Sequence, residues 1–429
     1  SQIQFQINPP VGGCTLKGKS LVMKLPLTVV ITRRSGIEWA TPSTPFPKRG
    51  HGLAQFPFAR VMEEMTVLVN GKHEFTYTPH VYHHALKSYT KLDDPKVQQE
   101  FATPDIFSNF RGYTTAYTQT AIYPLAAHGS HTPFMSRASH FGKYGYYVDA
   151  NGEETTTPTA SAAAEFVVSM PIPMEIFKKD INNITSVNVT CRMMPKDMLM
   201  FIYNADGSLG STLLESDFDF QFKTFQFPVP VCTALWEVPD EPIYSNPSTT
   251  HKYKNKRYEF FTVSDPKQVD LFHENREHSV SSGIFTFGNA NKMYVYAQRD
   301  PYRNTAIGSN QCIFTSAFGL IRKMSLMLNH RTYFTNYDEH MLWEMSSKNG
   351  YFHTFFDAHG GTPSINGHST GAGTVVCVDF PKDVKLNVSY GQAEDVNTAK
   401  ISIDYDYVTN DYCYMNMYIV LEYDEEVEF

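Results

Sequence analysis

Apolar and polar residues alternate with a period of two along much of the chain. In Leu21–Arg33 every second residue is apolar, and only Pro26 disturbs the pattern. This period predicts a long strand with one buried face. In Met65–Thr78 the pair Asn70-Gly71 separates two such stretches. Asn-Gly favours the type I′ turn of a β-hairpin, because both residues tolerate positive φ.

The same pattern predicts many further strands and few helices. Strands are predicted at Phe166–Pro173, Ser186–Met194, Phe218–Phe227, Phe285–Gln298, Thr374–Phe380, Lys400–Tyr407 and Met415–Tyr423, followed by the acidic tail Asp424–Phe429. Short helices are predicted at His80–Tyr89, Val269–His278 and Tyr337–Lys348. Three brief helices among so many strands indicate an all-β fold.

One segment recurs later in the chain. Met65–Thr76 can be placed over Met324–Thr335 without a gap, at an offset of 259 residues, and Met, Asn, Phe and Thr coincide. In each copy a short helix, a loop and an apolar strand follow. Chance similarity between two hairpins is the alternative, but the matched order of elements favours a duplicated β module. His330 stands where the first copy has Gly71, which predicts a different turn there.

Two domains are expected, residues 1–230 and 231–429. Five of the 25 prolines lie within residues 228–247, and such a segment suits a connector between β domains. The helix of each copy is followed by a polar, turn-rich loop, at about residues 90–165 in the first domain and 349–373 in the second. Long loops within a well-patterned β chain usually carry function.

Composition agrees with a large β protein. The 429 residues exceed the ~250–300 residues at which single cores stop growing. Apolar residues make up 42%, enough for a large core, and the 14% of aromatic residues favour strands. The 36 basic and 44 acidic residues give a net charge of −8, which argues against sequence-specific nucleic-acid binding, since that needs clustered Lys and Arg.

Cysteine usage and the absence of targeting patterns indicate a protein made in a reducing compartment. No apolar run approaches the ~18–20 residues that span a bilayer, and the first residues lack the pattern of a signal peptide. The cysteines are scattered without C-x-x-C spacing, which predicts reduced, mostly buried thiols. They are Cys14, Cys191, Cys232, Cys312, Cys377 and Cys413.

Some motifs resemble catalytic or metal sites but lack the required context. Ser369 lies in a G-x-S-x-G match, Gly367–Gly371, yet a loop precedes it and a predicted strand follows, whereas a nucleophile elbow needs a strand and then a helix. Two histidine groups could supply imidazoles to a metal ion, but the first has no carboxylate or Cys at a matching position and the second has no third ligand nearby. They are His80, His83 and His84, and His128 and His131.

Charged clusters offer equally little chemistry. Paired acids can act in glycoside hydrolysis only at a fixed separation across a cleft, which spacing along the chain does not show. The basic run His251–Arg257 is predicted to be a solvated loop, with a neighbouring subunit or a phosphate as alternative contacts. We therefore assign no catalytic, cofactor-binding or metal-binding residue and expect no enzyme. The acidic groups are Glu63-Glu64, Asp217/Asp219, Asp404/Asp406 and Asp424-Glu425-Glu426.

Several segments together resemble a known family. Phe5–Pro10 leads into the strand Leu21–Arg33, and Phe56-Pro57-Phe58 precedes the Asn70-Gly71 hairpin. The second half contributes Met293–Arg299, Ile321–Phe334 and Met341–Gly350. In this order the segments resemble the double jelly-roll major capsid proteins of the tectivirus–adenovirus lineage, with the nearest likeness to virophages and polinton-like viruses.

The resemblance implies two consecutive eight-stranded jelly rolls with short helices and long surface loops. It implies a homotrimer that forms a pseudo-hexameric capsomer of an icosahedral shell, with neighbouring capsomers, a penton protein and minor capsid proteins as partners. The protein would reside in the virion after synthesis in the host cytoplasm or an assembly compartment. The resemblance leaves open whether an internal membrane lies beneath the shell. A carbohydrate-binding or fibre-like β-sandwich protein and a β-rich hydrolase are the alternatives.

Overall fold

Antiparallel strands form most of the regular structure, as the alternating pattern predicts. The structure is a computed structural model, and it describes residues 2–33, 51–53, 62–89, 140–193, 200–202, 218–224, 230–238, 250–269, 278–300, 318–355, 358–359, 373–386, 396–406 and 413–429.

The amino-terminal half contains fourteen described strands, one helix and a 3₁₀ turn. The strands are β1 (Gln2–Ile7), β2 (Thr15–Leu16), β3 (Val22–Arg33), β4 (His51–Leu53), β5 (Met62–Val69), β6 (His73–Tyr77), β7 (His140–Val148), β8 (Glu154–Thr155), β9 (Ser161–Pro171), β10 (Val187–Met193), β11 (Met200–Ile202), β12 (Phe218–Thr224), β13 (Val231–Thr233) and β14 (Trp236–Glu237). Helix α1 is Pro79–Lys87, and the 3₁₀ turn is Glu175–Lys178.

The carboxyl-terminal half contains nine described strands and two helices. The strands are β15 (Lys252–Val269), β16 (His278–Ser281), β17 (Phe285–Phe287), β18 (Lys292–Arg299), β19 (Leu320–Leu328), β20 (Arg331–Asp338), β21 (Val375–Asp379), β22 (Asn397–Asp406) and β23 (Cys413–Glu428). Helix α2 is Glu339–Lys348, and α3 is the single turn Phe380–Asp383.

The second half is a complete jelly roll. One sheet has the order β15-β23-β18-β21, and the other has β22 between β19 and the pair β16/β17, with β20 at the far edge. We number the strands of this half 1 to 8 in chain order, from β15 to β23, and count β16 and β17 as one broken strand. The two sheets then have the strand orders 1-8-3-6 and 2-7-4-5. This interleaving of early and late strands is the pairing of an eight-stranded, double Greek-key sandwich.

The first half repeats this topology. Its sheet β1-β10-β5-β6 matches the second sheet above, and β12-β3-β9 matches β23-β18-β21. Strands β7, β8 and β13 extend the larger sheet. Within the described ranges, seven of the eight positions of a jelly roll are therefore filled in this half, the exception being the position that corresponds to β15.

The repeated hairpins occupy equivalent places, and their turns differ less than expected. Asn70 and Gly71 have φ of 53° and 66°, and Asn329 and His330 have φ of 48° and 62°. Histidine therefore keeps the left-handed backbone expected of glycine. The difference lies in the pairing: three residues stay between Val69 and its partner in β6, but only two separate the last pair of β19 and β20.

The predicted basic loop and acidic tail are strands, which corrects both expectations. Residues 252–257 begin β15, and residues 424–428 end β23. The two strands pair so that Lys252 lies opposite Glu428, Lys254 opposite Glu426, and Lys256 opposite Asp424. Opposite charges across a strand pair attract. The basic run therefore stabilises the acidic run, although the like charges within each run repel one another.

Other element boundaries also need correction. The strand predicted at Phe285–Gln298 is interrupted between β17 and β18. The helix predicted at Val269–His278 fails at both ends, because these residues end β15 and begin β16, and its interior lies outside the described residues. In the expected loop 90–165, residues 140–148 form β7 and β9 begins at Ser161, while 90–139 lie outside the described ranges.

Two short strands after residue 230 pair with strands of the amino-terminal half. Strand β13 pairs with β3, and β14 pairs with β2. Residues 231–237 thus continue the pairing of the amino-terminal half, because their hydrogen bonds are made to its strands. We propose that the first unit extends at least to Glu237.

Candidate functional site: the interface between the two rolls

One sheet of the second roll is buried on both faces. In β18, Met293, Val295 and Ala297 pack into the core of the second roll. The alternate residues Tyr294 and Tyr296 point the other way, into a core that they share with buried residues of the first roll. A sheet covered on both sides reads as a continuous apolar run, which is how residues 293–297 read in the sequence.

Helix α1 of the first roll packs against this sheet. Its residues Val81, Tyr82 and Ala85 are buried in the shared core. The hydroxyl of Tyr296 donates a hydrogen bond to the backbone carbonyl of Val81, although the two residues lie in different rolls. Helix α1 of the first roll thus covers the face of this sheet that the core of the second roll does not cover.

The end of α1 is tied to the second roll by further hydrogen bonds. The Tyr89 hydroxyl donates to the carbonyl of Val375 in β21. The amide of Phe352 donates to the carbonyl of Ser88 at 3.2 Å. These bonds fix the helix against two separate segments, so the relative orientation of the two rolls is specified at several points.

Tyrosine rings fill the space between the rolls. Tyr82 lies 5.2 Å from Tyr258, and Tyr89 lies 5.1 Å from Tyr294 and 5.2 Å from Tyr351, measured between ring centroids. Such edge and tilted contacts add to the burial of large rings. Burial raises the pKa of the Tyr82, Tyr89, Tyr258 and Tyr294 hydroxyls above the usual range, so all four stay protonated near neutral pH.

A polar seam borders the aromatic contacts. The Glu422 carboxylate accepts hydrogen bonds from the Tyr294 hydroxyl at 2.9 Å and from the Lys256 ammonium. Burial opposes the charge of Lys256, but Glu422 outweighs this effect and the pKa of Lys256 is raised. Across the rolls, the Asn255 side chain accepts from the amide of Ile176 at 3.2 Å.

Two histidines of α1, His80 and His83, hydrogen-bond to protein groups. The Nδ1 of His80 donates to the carbonyl of Glu63 at 2.9 Å, and the Nδ1 of His83 shares a 2.9 Å hydrogen bond with the Tyr77 hydroxyl. The His84 side chain, His128 and His131 lie outside what the structure describes. Within the described ranges, no group of three His, Cys, Asp or Glu residues is placed to hold a metal ion.

The paired acids that the structure describes have structural partners. Glu63 and Glu64 flank the guanidinium of Arg192, at 2.9 and 3.9 Å. Asp404 accepts from the Ser279 hydroxyl at 2.6 Å. Asp406 accepts from Arg322, which also binds Glu339 and so ties α2 to its sheet.

One acid pair and the G-x-S-x-G match lie partly or wholly outside the described residues. Asp219 lies in β12, opposite Thr32, and its pair mate Asp217 lies outside the described residues. Ser369 and the rest of Gly367–Gly371 also lie outside them.

The described thiols are free. Cys14, Cys191 and Cys377 are buried and Cys232 is half-buried. Burial raises the pKa of Cys191 and Cys232 to about 12, so both stay protonated and unreactive near neutral pH. Cys312 and the Cys413 side chain lie beyond the described residues.

Two buried networks were missed by the sequence reading. In one, Asp265 accepts from the Tyr405 hydroxyl at 2.7 Å and contacts His278 at 3.0 Å. In the other, the Nδ1 of the buried His359 donates to the carbonyl of Ile321 at 3.0 Å. Their members are far apart in sequence, so no local motif signals them. The apolar run at residues 293–297 was the only sequence signal for the interface itself.

Comparisons with known proteins agree with this architecture. The sequence matches no protein-family profile and no curated protein. No described helix has the length and apolar character needed to cross a membrane. A chain in the cryo-EM structure of the Sputnik virophage superposes with a TM-score of 0.75 and 16% identity, over 100% of this chain and 83% of that one.

A second solved structure is similar over the same extent. The crystal structure of the mavirus major capsid protein superposes with a TM-score of 0.66 and 16% identity, over 99% of this chain and 84% of that one. Both likenesses extend across the two halves of the chain. The chain therefore has the double jelly-roll fold that these two virophage structures share.

Proposed function

We propose that this protein is a major capsid protein that acts by self-association and not by catalysis. Three chains would form a trimer in which six similar barrels surround one axis, giving a pseudo-hexagonal capsomer of an icosahedral shell. The observation that carries the proposal is a pair of jelly rolls held in one orientation by a sheet buried on both faces. Tiling requires this rigidity, because closed symmetric assemblies repeat one fixed contact geometry.

The partners and location follow from this role. The protein would lie in the shell of a virus particle and contact neighbouring capsomers. Pseudo-hexagonal units alone form flat sheets, so a penton protein is the expected partner at the vertices, with minor capsid proteins between capsomers. Synthesis in the host cytoplasm or an assembly compartment precedes incorporation into the shell. The likeness to the mavirus major capsid protein along nearly the whole chain supports this proposal.

Solution mass tests the trimer. Light scattering of the purified protein at micromolar concentration should give three times the 48.8 kDa of the chain. An obligate trimer of this kind is expected to bury more than about 2,000 Å² at each interface, so it should survive dilution. A stable monomer under these conditions contradicts the proposal.

Negative-stain microscopy tests the shape. Six barrels, each roughly 25–30 Å wide, should appear as a hexagonal particle about 70–80 Å across. A monomer that binds sugars saturably on a glycan array would instead support a carbohydrate-binding β-sandwich protein.

A further inference from the structure

The contact between the two rolls of one chain contains a helix from one roll and a sheet from the other. Helix α1 of the first roll packs on the outer face of the sheet β15-β23-β18-β21, the face that points away from the core of the second roll. Val81 of this helix and Val420 of this sheet are both buried in the shared core. Because the two rolls repeat one topology, the second roll has its own helix, α2, and the first roll has its own sheet, β12-β3-β9 with β13.

Helix α2 exposes an apolar side chain at a position that α1 buries. In each hairpin a tyrosine pairs with a methionine of the preceding strand, Tyr77 in the first roll and Tyr337 in the second. Each helix begins two residues after its tyrosine, so Met341 of α2 has the position of Val81 in α1. Val81 is 1% exposed and Met341 is 51% exposed. The second roll therefore leaves exposed the helix position that the first roll uses to contact its neighbour.

The sheet of the first roll also exposes a position that the other sheet buries. The first amide after β9 donates to the carbonyl of the residue before β3, and the first amide after β21 donates to the carbonyl of the residue before β18, at 2.8 and 2.9 Å. Strands β3 and β18 therefore begin at equivalent positions, and their third residues, Lys24 and Tyr294, correspond. Lys24 lies opposite Val231, and Tyr294 lies opposite Val420. Both residues of the second roll are buried, whereas Lys24 is exposed and Val231 is 46% exposed.

Lys24 and Val231 lie on the outer face of their sheet. Met23 and Leu25, the neighbours of Lys24 in β3, are buried in the core of the first roll. Successive residues of a strand point to opposite faces, and directly opposite residues share a face, so Lys24 and Val231 point away from that core. One chain thus carries an exposed copy of each side of the contact between its rolls.

We propose that α2 of one chain docks on the outer face of the β12-β3-β9 sheet of a second copy, so that Met341 packs close to Val231 of that copy. This inference rests on the proposed trimer and names the surfaces that form it. The contact is heterologous, because each copy contributes its helix on one side and its sheet on the other. Three chains close a ring of six rolls when this contact alternates with the contact inside each chain. It buries two apolar side chains that a single chain leaves partly in water.

Substitutions on the two sides of the contact test it in the full-length protein. Met341→Lys and Val231→Glu each place a charge in the contact, and burying an unpaired charge is unfavourable. Light scattering over a dilution series should show that each variant raises the concentration of half-dissociation of the trimer at least about ten-fold. The matched control is Ile284→Lys, at an exposed residue between β16 and β17, on the edge of its sheet farthest from β20. It should change that concentration by less than about two-fold.

Oxidation of Met341 reports directly on whether a second copy covers it. Peroxide converts an accessible methionine to the sulfoxide, and peptide mass spectrometry measures the rate. Met341 should be oxidised several-fold faster in the folded Val231→Glu monomer than in the parent trimer, because the second copy no longer covers it. Circular dichroism checks that the variant is folded, and Val231→Gln replaces it with the same expectation if it is not.

The outcomes separate this contact from the capsid role. A parent protein that is monomeric contradicts the capsid proposal itself. A parent trimer that Met341→Lys and Val231→Glu leave as stable as before overturns the contact but not the trimer. Equal oxidation rates of Met341 in trimer and monomer overturn the contact in the same way.

Discussion

His330 occupies a turn position that glycine fills in the other copy of the hairpin. Its φ of 62° is costly for a residue with a side chain, whereas Gly71 adopts 66° freely. We expect His330→Gly to raise the free energy of unfolding by about 0.5–1 kcal/mol, as measured by urea denaturation. Gly71→His is the mirrored control and should lower the free energy of unfolding by about the same amount. No atom lies within 4 Å of a Cβ added there, so the cost comes from the positive φ and not from a clash. Equal stability of all three proteins would contradict this account.

We expect the buried His359 to make the stability of the second roll sensitive to acid. Burial lowers the pKa of His359 to about 4, and the nearby Arg322 and His340 act in the same direction. The unfolded chain therefore takes up this proton first as pH falls, near its ordinary pKa of about 6.5. The stabilising effect is complete above that pH and is lost between about pH 6.5 and 4, up to about 3 kcal/mol.

The variant His359→Gln isolates this effect, because glutamine can still donate to the Ile321 carbonyl but does not titrate. Denaturation measured from pH 7.5 to 4 should show a shallower loss of stability than in the parent protein. The same slope in both proteins would assign the acid sensitivity to other groups.

Among the elements, the long pair β15–β23 carries charges of opposite sign at two depths. Glu422 is buried and holds Lys256, whereas Glu428 is exposed and lies 3.0 Å from Lys252. Removing one partner of a buried ion pair leaves a desolvated charge, but an exposed pair contributes little. We expect Glu422→Gln to lower the free energy of unfolding by about 1–3 kcal/mol and Glu428→Gln by less than about 0.5 kcal/mol, as measured by denaturation. Equal losses of stability in the two variants would contradict the expectation that burial of the ion pair determines its contribution.

At the scale of the whole molecule, the two rolls meet in one shared core, next to the separate core of the second roll, and should unfold together. Tyr296 is fully buried, stacks on Tyr418 at 5.3 Å between ring centroids, and donates to a carbonyl of the first roll. We expect Tyr296→Ala to destabilise the protein by about 3–5 kcal/mol and to separate its unfolding into two transitions in calorimetry. Tyr333→Ala, at a 38% exposed tyrosine, should leave a single transition near the parent temperature. A single, unshifted transition for Tyr296→Ala would contradict the shared core.

The sequence by itself determined the all-β class, most strand positions, two of the three helices and the repeated hairpin. These features depend on neighbours in the chain, because the period of two, the Asn-Gly turn and the proline at a helix start act within a few residues. Helix α1 and strand β3 lie within one residue or two of their predicted bounds for this reason.

Tertiary structure alone decided that residues 252–257 and 424–428 are paired strands and not a loop and a tail. It also decided that one sheet of the second roll is covered on both faces. The physical reason is that each feature depends on the approach of residues far apart in the chain, such as Lys252 and Glu428. From the sequence, a run of charged residues predicts a solvated loop, because the sequence does not show which residues of opposite charge lie across the strand pair.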